Sequence, residues 1–181
     1  MTTILTRKMN KRIEFQFNKQ KAIEAILYLA NKRPSIDKMS LYKFLFFADI
    51  EHLNRYGRPI FGGYYVAMQR GPVPSQIKNL LEHKNNSEFE IIDYMITATR
   101  EANTEYLSSS DLEVLDQIYG KYGNYSAPQL SDLSHKHPAW INARKFNKFK
   151  NNNRLDYKDM IDPCNTELIQ DLEENSKYIM I

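Results

Sequence analysis

A single cysteine, Cys164, stands among 181 residues, so the chain can close no internal disulfide and build no cysteine-cluster zinc site, and a reducing compartment suits it. Apolar runs of signal-peptide or membrane-spanning length are missing, which predicts a cytoplasmic protein with no membrane insertion. HExxH, GxSxG and a glycine-rich phosphate loop are missing too, so the common metalloprotease, serine-hydrolase and nucleotide-binding chemistries have no motif to rest on. Neither an internal repeat nor a linker composition interrupts the chain. The formal charge of +3 is too mild to demand an anionic partner or to exclude one. What remains, 42% hydrophobic and 26% charged, is the composition of a globular protein with room for one proper core.

The richest stretch is residues 39–74, MSLYKFLFFADIEHLNRYGRPIFGGYYVAMQRGPVP. Leu41, Phe44, Leu45, Ala48 and His52 recur at helical spacing, and Phe47, Ile50 and Leu53 widen the apolar surface nearly all the way round. That predicts a long central apolar helix. Gly57 follows Tyr56 at the spacing of a left-handed cap, and Pro59 forbids a return to helix. Tyr64, Tyr65, Val66, Ala67 and Met68 favour a strand, and Gly71-Pro72-Val73-Pro74 predicts a rigid turn with Pro74 at the first helical position of residues 75–81.

Elsewhere, residues 1–14 form a basic leader, and Asn18 caps a helix with Ile23, Ile26, Leu27 and Ala30 on one stripe. Residues 88–94 and 97–106 read as strands, which with 64–69 would make a small antiparallel sheet. Ser110 and Glu113 have capping-box spacing before another helix, which Gly123 ends. Ser126 and Pro128 open the next, and Trp140 reads as an anchor in the core. A last helix after Pro163 turns Leu168 and Leu172 inward. The expectation is an α+β, predominantly helical fold: five or six helices around the central one, a small antiparallel sheet, and one domain over 15–177.

Two chemical readings compete with simple packing. Asp49 and His52 lie three residues apart on one helix face, the geometry of a general base or half a metal site that His135 and His137 would have to complete. Against it, a buried Asp ordinarily satisfies backbone N–H groups in a neighbouring turn, and the turn at 70–73 is the natural candidate. The segment 144–154 carries five basic residues, two phenylalanines and no carboxylate, the ingredients of a nucleic-acid groove.

The motif LYKFLFFADIEHLNRYGRPIFGGYYVAMQRGPVP resembles the SocA-like antitoxin family, or Panacea domain. There, a hydrophobic helix ending in Ala-Asp with a nearby His, then Tyr-Gly-Arg-Pro-Ile, leads into Gly-Pro-Val-Pro. LSSSDLEVLDQIYGKYG and LSDLSHKHPAW resemble its second half, so the likeness spans 15–140. The resemblance implies an antitoxin of bacterial or phage toxin–antitoxin systems that neutralises a cognate toxin by direct protein contact, without catalysis, cofactor or metal. A nucleic-acid-binding regulator using 144–154 is the alternative, and a metal-dependent hydrolase on Asp49 and His52 comes after it. The scaffold residues expected are Asp49, His52, Tyr56, Gly57, Gly71, Pro72, Pro74 and Trp140. Tyr64, Tyr65, Met68 and Arg70, on an aromatic strand bearing Met and Arg, are the expected partner-binding residues, from one face or the other.

Overall fold

The helices form where apolar stripes meet good caps. The computed structural model describes residues 12–83, 87–145, 153–179 and 181, so the leader up to residue 11 and the middle of the basic segment, 146–152, lie outside the described residues. Helix α1 (Lys19–Lys32) begins at Asn18, whose side chain accepts from the Lys21 N–H at 3.1 Å, and buries Ile23, Ile26, Leu27 and Ala30. A two-residue strand, β1 (Ile36–Asp37), leads into α2 (Lys38–Tyr56). Asp37 caps α2 by accepting from the Ser40 N–H and hydroxyl at 2.8 and 2.6 Å. Gly57, at φ 71°, then ends it in the left-handed conformation that a side chain resists.

Next comes a tight hairpin of β2 (Tyr65–Met68) and β3 (Gly71–Pro74), with Val66 opposite Val73 and Met68 opposite Gly71. Residues 71–74 are therefore a strand and not only a turn. Pro72 and Pro74 tolerate this because they face Ala67 and Tyr65 at alternate positions, and the N–H they lack is dispensable on an edge strand. Pro74 serves as the N-cap of α3 (Ser75–Glu82), not as its first residue.

A second, three-stranded antiparallel sheet has the order β1-β5-β4, from β4 (Phe89–Ile92) and β5 (Met95–Ala98). The expectation that β2 would join these strands fails because β2 pairs instead with β3, its hairpin partner three residues away. The strand expected over 97–106 ends early, and Thr104–Tyr106 is a 3-10 turn. Helices α4 (Ser109–Tyr122), α5 (Ala127–His135), α6 (Pro138–Lys145) and α7 (Thr166–Asn175) follow. Ser108, not Ser110, caps α4, in a capping box with Asp111 in place of the expected Glu113.

Seven α-helices and two small antiparallel sheets stand among the described residues, an α+β fold that is predominantly helical, with six helices besides α2 as expected and two sheets where one was expected. Phe15, Leu27, Phe44, Phe61, Leu115, Leu130, Tyr157 and Leu172 join one hydrophobic cluster, so the core draws on both ends of the described chain.

Gly71 lies where the hairpin backbone runs close against α2 and α5. Its φ is +104°, and a Cβ there would meet Ser134 Oγ at 2.4 Å and Lys43 Cε at 2.8 Å. Gly71→Ala should destabilise the protein by about 2–4 kcal/mol through backbone strain and overpacking together. Urea unfolding measures this, and a midpoint equal to wild type would contradict it.

Candidate functional site

Two polar residues on α2 hold the chain as it leaves the helix. Asp49 is fully buried; its Oδ1 accepts from the Ile60 N–H at 2.7 Å and its Oδ2 lies 2.8 Å from the Tyr65 hydroxyl. Tyr65 in turn donates to the Leu45 carbonyl at 3.2 Å. Asp49 thus braces residues 57–60 and the start of β2, and the expected bond to the 70–73 turn does not form. The reason is reach: Ile60 returns past the helix directly after the Gly57 cap, whereas the hairpin tip has other anchors. Burial pushes the Asp49 carboxyl up to about 7, against the lowering effect of its bonds to Ile60 and Tyr65. When protonated, Oδ2 donates to Tyr65, and Tyr65 donates to Leu45, which gives each of these three groups a partner.

His52 does not meet Asp49. Its Nδ1 donates to the Arg58 carbonyl at 2.8 Å, and its Nε2 lies 3.0 Å from Ser110 Oγ and 3.1 Å from Asp111 Oδ1. Asp111 is the fully buried anchor of a cluster. Lys21 Nζ reaches its Oδ2 at 2.7 Å, and Arg58 approaches its Oδ1 at 3.1 Å. Oδ1 sits between Arg58 and His52 without a well-aligned hydrogen bond from either. Burial would raise the Asp111 carboxyl, but His52, Lys21 and the Ser108 N–H outweigh it and hold the group well below the usual carboxylate range. Outside this cluster, Tyr56 stacks on His52 with centroids 4.7 Å apart and donates to Glu113, which Arg55 also grips at 2.6 Å.

The hairpin is held from behind by three elements. Lys43 Nζ of α2 donates to the Pro72 carbonyl at 2.8 Å, Ser131 Oγ of α5 to the Arg70 carbonyl at 2.9 Å, and Trp140 Nε1 of α6 to the Met68 carbonyl at 3.0 Å. Trp140 is half-buried and stacks on His135 at 4.2 Å, so it anchors the strand from the edge of the core. Along β2, Tyr65 and Ala67 point inward while Val66 and Met68 are half-exposed. Tyr65, at 1% exposure, is removed from the expected contact residues because its ring is core and its hydroxyl belongs to Asp49. Tyr64 is half-exposed beneath the Arg154 guanidinium, Met68 is half-exposed, and Arg70 is exposed at the hairpin tip.

Chemistry has little to work with here. His135 stacks on Trp140 and His137 packs edge-on against Phe46, with burial pushing the His137 imidazole down to about 4. Among the described residues no three His, Cys, Asp or Glu side chains stand close enough to hold a metal. The ends of the basic segment are engaged internally: Arg144 lies over Trp140, and Arg154 pairs with Glu14 at 3.2 Å and covers Tyr64. Among the described residues no helix is long and apolar enough to cross a membrane.

Four buried charges escaped the sequence reading: Lys21, Lys43, Asp111 and Glu24, whose carboxylate receives a two-pronged grip from Arg100 at 2.8 and 2.9 Å. Each shares a signal, a charged residue one turn ahead of an apolar one on the same helix face: Lys21 before Ala25, Glu24 before Leu27, Lys43 before Phe46 and Phe47, and Asp111 before Leu115.

Three substitutions test this clamp. Asp49→Ala should cost about 2–4 kcal/mol, since the Ile60 N–H and the Tyr65 hydroxyl lose a buried partner. Asp49→Asn keeps both bonds. Because the native carboxyl binds its proton more tightly than the unfolded one, its contribution is full below the ordinary value of 3.8 and is lost as pH rises to about 7. Asp49→Asn should therefore gain on wild type in thermal melts between pH 5 and pH 7, and parallel curves would refute the assignment. Asp111→Asn, which strands Lys21 and Arg58 without a counter-charge, should cost about 3–5 kcal/mol in urea unfolding at neutral pH, and a loss under about 1 kcal/mol would show the cluster to be solvated.

The family model of the antitoxin SocA-like, Panacea domain matches residues 41–141, from the first turn of α2 through the clamp and hairpin into α6. No curated protein and no solved structure matches the chain. Because the match covers more than half of the sequence and runs through the clamp and hairpin just described, the chain belongs to the SocA-like antitoxin family by its Panacea domain.

Proposed function

We propose that this protein is the antitoxin of a toxin–antitoxin system and neutralises a cognate toxin in the cytoplasm by direct protein contact, without catalysis. The observation that carries the reading is the family match, whose own description is that of an antitoxin. What supports the mode of action is where the polar groups go. Asp49, His52 and Asp111, the residues from which a catalytic site would have to be built, spend their hydrogen-bonding capacity on Ile60, Tyr65, Arg58, Ser110 and Lys21. A group so engaged holds the scaffold in shape and leaves recognition to the outer surface.

In this reading Asp49, His52, Tyr56, Gly57, Gly71, Pro72, Pro74 and Trp140 form the scaffold, and the β2–β3 hairpin with Met68, Arg70 and the flanking Tyr64 presents the contact surface. Residues 15–177 act as one unit. The setting that goes with this reading is defence against phage.

Co-expression decides it. The product of a gene next to this one should arrest growth when induced alone, and this protein should restore growth to within about tenfold of uninduced cells and co-purify with it. Failure to restore growth against every adjacent gene product that arrests it would remove the reading.

A further inference from the structure

Beside the hairpin lies a cleft of about 760 Å³, bounded by the start of α2, the β2–β3 hairpin, α3, the start of α5 and the β4–β5 turn. Its lining combines two properties that rarely meet. Met39, Met68, Met95 and Val73 give it an apolar floor with adaptable thioethers, and Tyr94, 63% exposed beside Ile92 at 64%, makes an aromatic lip. Set into that floor is Lys43, only 1% exposed, whose ammonium has one hydrogen bond, to the Pro72 carbonyl, and no carboxylate partner among the described residues.

Cations also outnumber carboxylates around the rim. Lys38 and Arg70 line the cleft and form no ion pair among the described residues. The two carboxylates that also line it are occupied elsewhere: Asp37 caps α2 through Ser40, and Glu82 pairs with Lys78 at 2.7 Å. Lys38, Arg70 and the partly charged Lys43, none of them in an ion pair among the described residues, thus outnumber Asp37, the one lining carboxylate without an ion-pair partner among those residues, around an apolar trough. A buried ammonium with two unfilled donors is unfavourable unless something completes it. Burial pushes Lys43 down to about 7, so an arriving anion would both restore its full charge and supply the missing acceptor.

We propose that this cleft receives a segment of the partner toxin in which a carboxylate side chain is flanked by apolar residues, the carboxylate seating on Lys43 between Lys38 and Arg70 while its neighbours pack on the methionines. The inference rests on the antitoxin reading for the partner's identity, though not for the chemistry of the segment. Charge complementarity selects an anion, and the apolar floor selects a peptide over a nucleic-acid strand. A phosphate backbone would need cations in a row and flat rings for its bases, whereas here one ammonium is sunk among thioethers. The hairpin divides the expected contact residues accordingly: Met68 and Arg70 line this cleft, and Tyr64 lies outside it beneath Arg154.

The test pans a displayed library of random twelve-residue peptides on the full chain, then titrates the selected peptides against Arg70→Glu, Lys43→Met and the distant α7 control Glu167→Lys by fluorescence anisotropy. Selected peptides should carry Asp or Glu beside Leu, Met or Phe, and should bind at least tenfold more weakly to Arg70→Glu and to Lys43→Met while the control binds as wild type. Arg70 is exposed at the hairpin tip, so its variant tests the cleft even where Lys43→Met alters the fold. Selection of no peptides, selection of peptides without acidic residues, affinity indifferent to Arg70→Glu, or displacement by a single-stranded DNA oligonucleotide would overturn the proposal. The growth assay separates the two readings. Rescue that survives Arg70→Glu sinks the cleft and spares the antitoxin; peptide binding without any rescue by wild type does the reverse.

Discussion

The path of the chain after α2 depends on a pair of side chains one helical turn apart. Asp49 accepts a hydrogen bond from the Ile60 N–H and His52 donates one to the Arg58 carbonyl, so both a donor and an acceptor of the returning segment are fixed against the same helix. Once residues 57–60 are held there, Tyr65 arrives with its hydroxyl on Asp49, and the hairpin starts in a single register. A one-residue slip would turn Tyr65 outward and bring Tyr64 and Val66 into the core. The clamp therefore sets which face of β2 the outside world meets. Arg58, whose carbonyl His52 holds, passes the constraint on by directing its guanidinium to Asp111, which also takes Lys21 from α1. One carboxylate so orients three elements. Buried ion clusters of this kind add little net stability compared with apolar packing, and their contribution is better read as geometric.

Local order was legible in the sequence and pairing was not. Asn18, Gly57, Ser126 and Pro128 act within one turn of themselves, and each is found where spacing places it. The partner of Asp49 depends on where the chain goes after the cap, which no helical period encodes. The same holds for the sheets: β1 is two residues long, too short for any alternation to show, yet without it β5 would be an edge. The prolines of β3 argue against a strand by propensity, and only the alternation of Pro72 and Pro74 around Val73 makes the ladder feasible. Asp111 was hidden for another reason: Ser108, Ser109 and Ser110 all qualify as caps, and choosing Ser110 passes over the acid at the third position after Ser108.

Inside and outside divide the chemistry of the molecule cleanly. Asp49, Glu24 and Asp111 are each surrounded by donors supplied by the fold, and each could be deduced to be structural from its own partners. The exposed residues that remain near the hairpin are of the kind found in the middle of interfaces, Met, Tyr and Arg, and they lie on a face whose backbone is tied down by α2, α5 and α6. A rigid strand presenting adaptable thioethers loses little order on binding.

Lys43 breaks this division. It is as buried as Asp49, but its ammonium has a single acceptor where three are wanted, and burial has already driven it toward neutrality. As a mere support for the Pro72 carbonyl it is a poor choice, because Gln or a hydroxyl would give the same bond without desolvating a charge. Gly71 compounds the oddity: the hairpin gives up a side chain at the very point where one would press on Lys43 Cε and Nζ, so the backbone is shaped to leave that ammonium its room. A sequence that violates its own packing logic at one place, and bends neighbouring backbone to keep the violation, points to use at that place. The natural use of an under-bonded cation at the foot of an apolar trough is to meet an anion that arrives from outside.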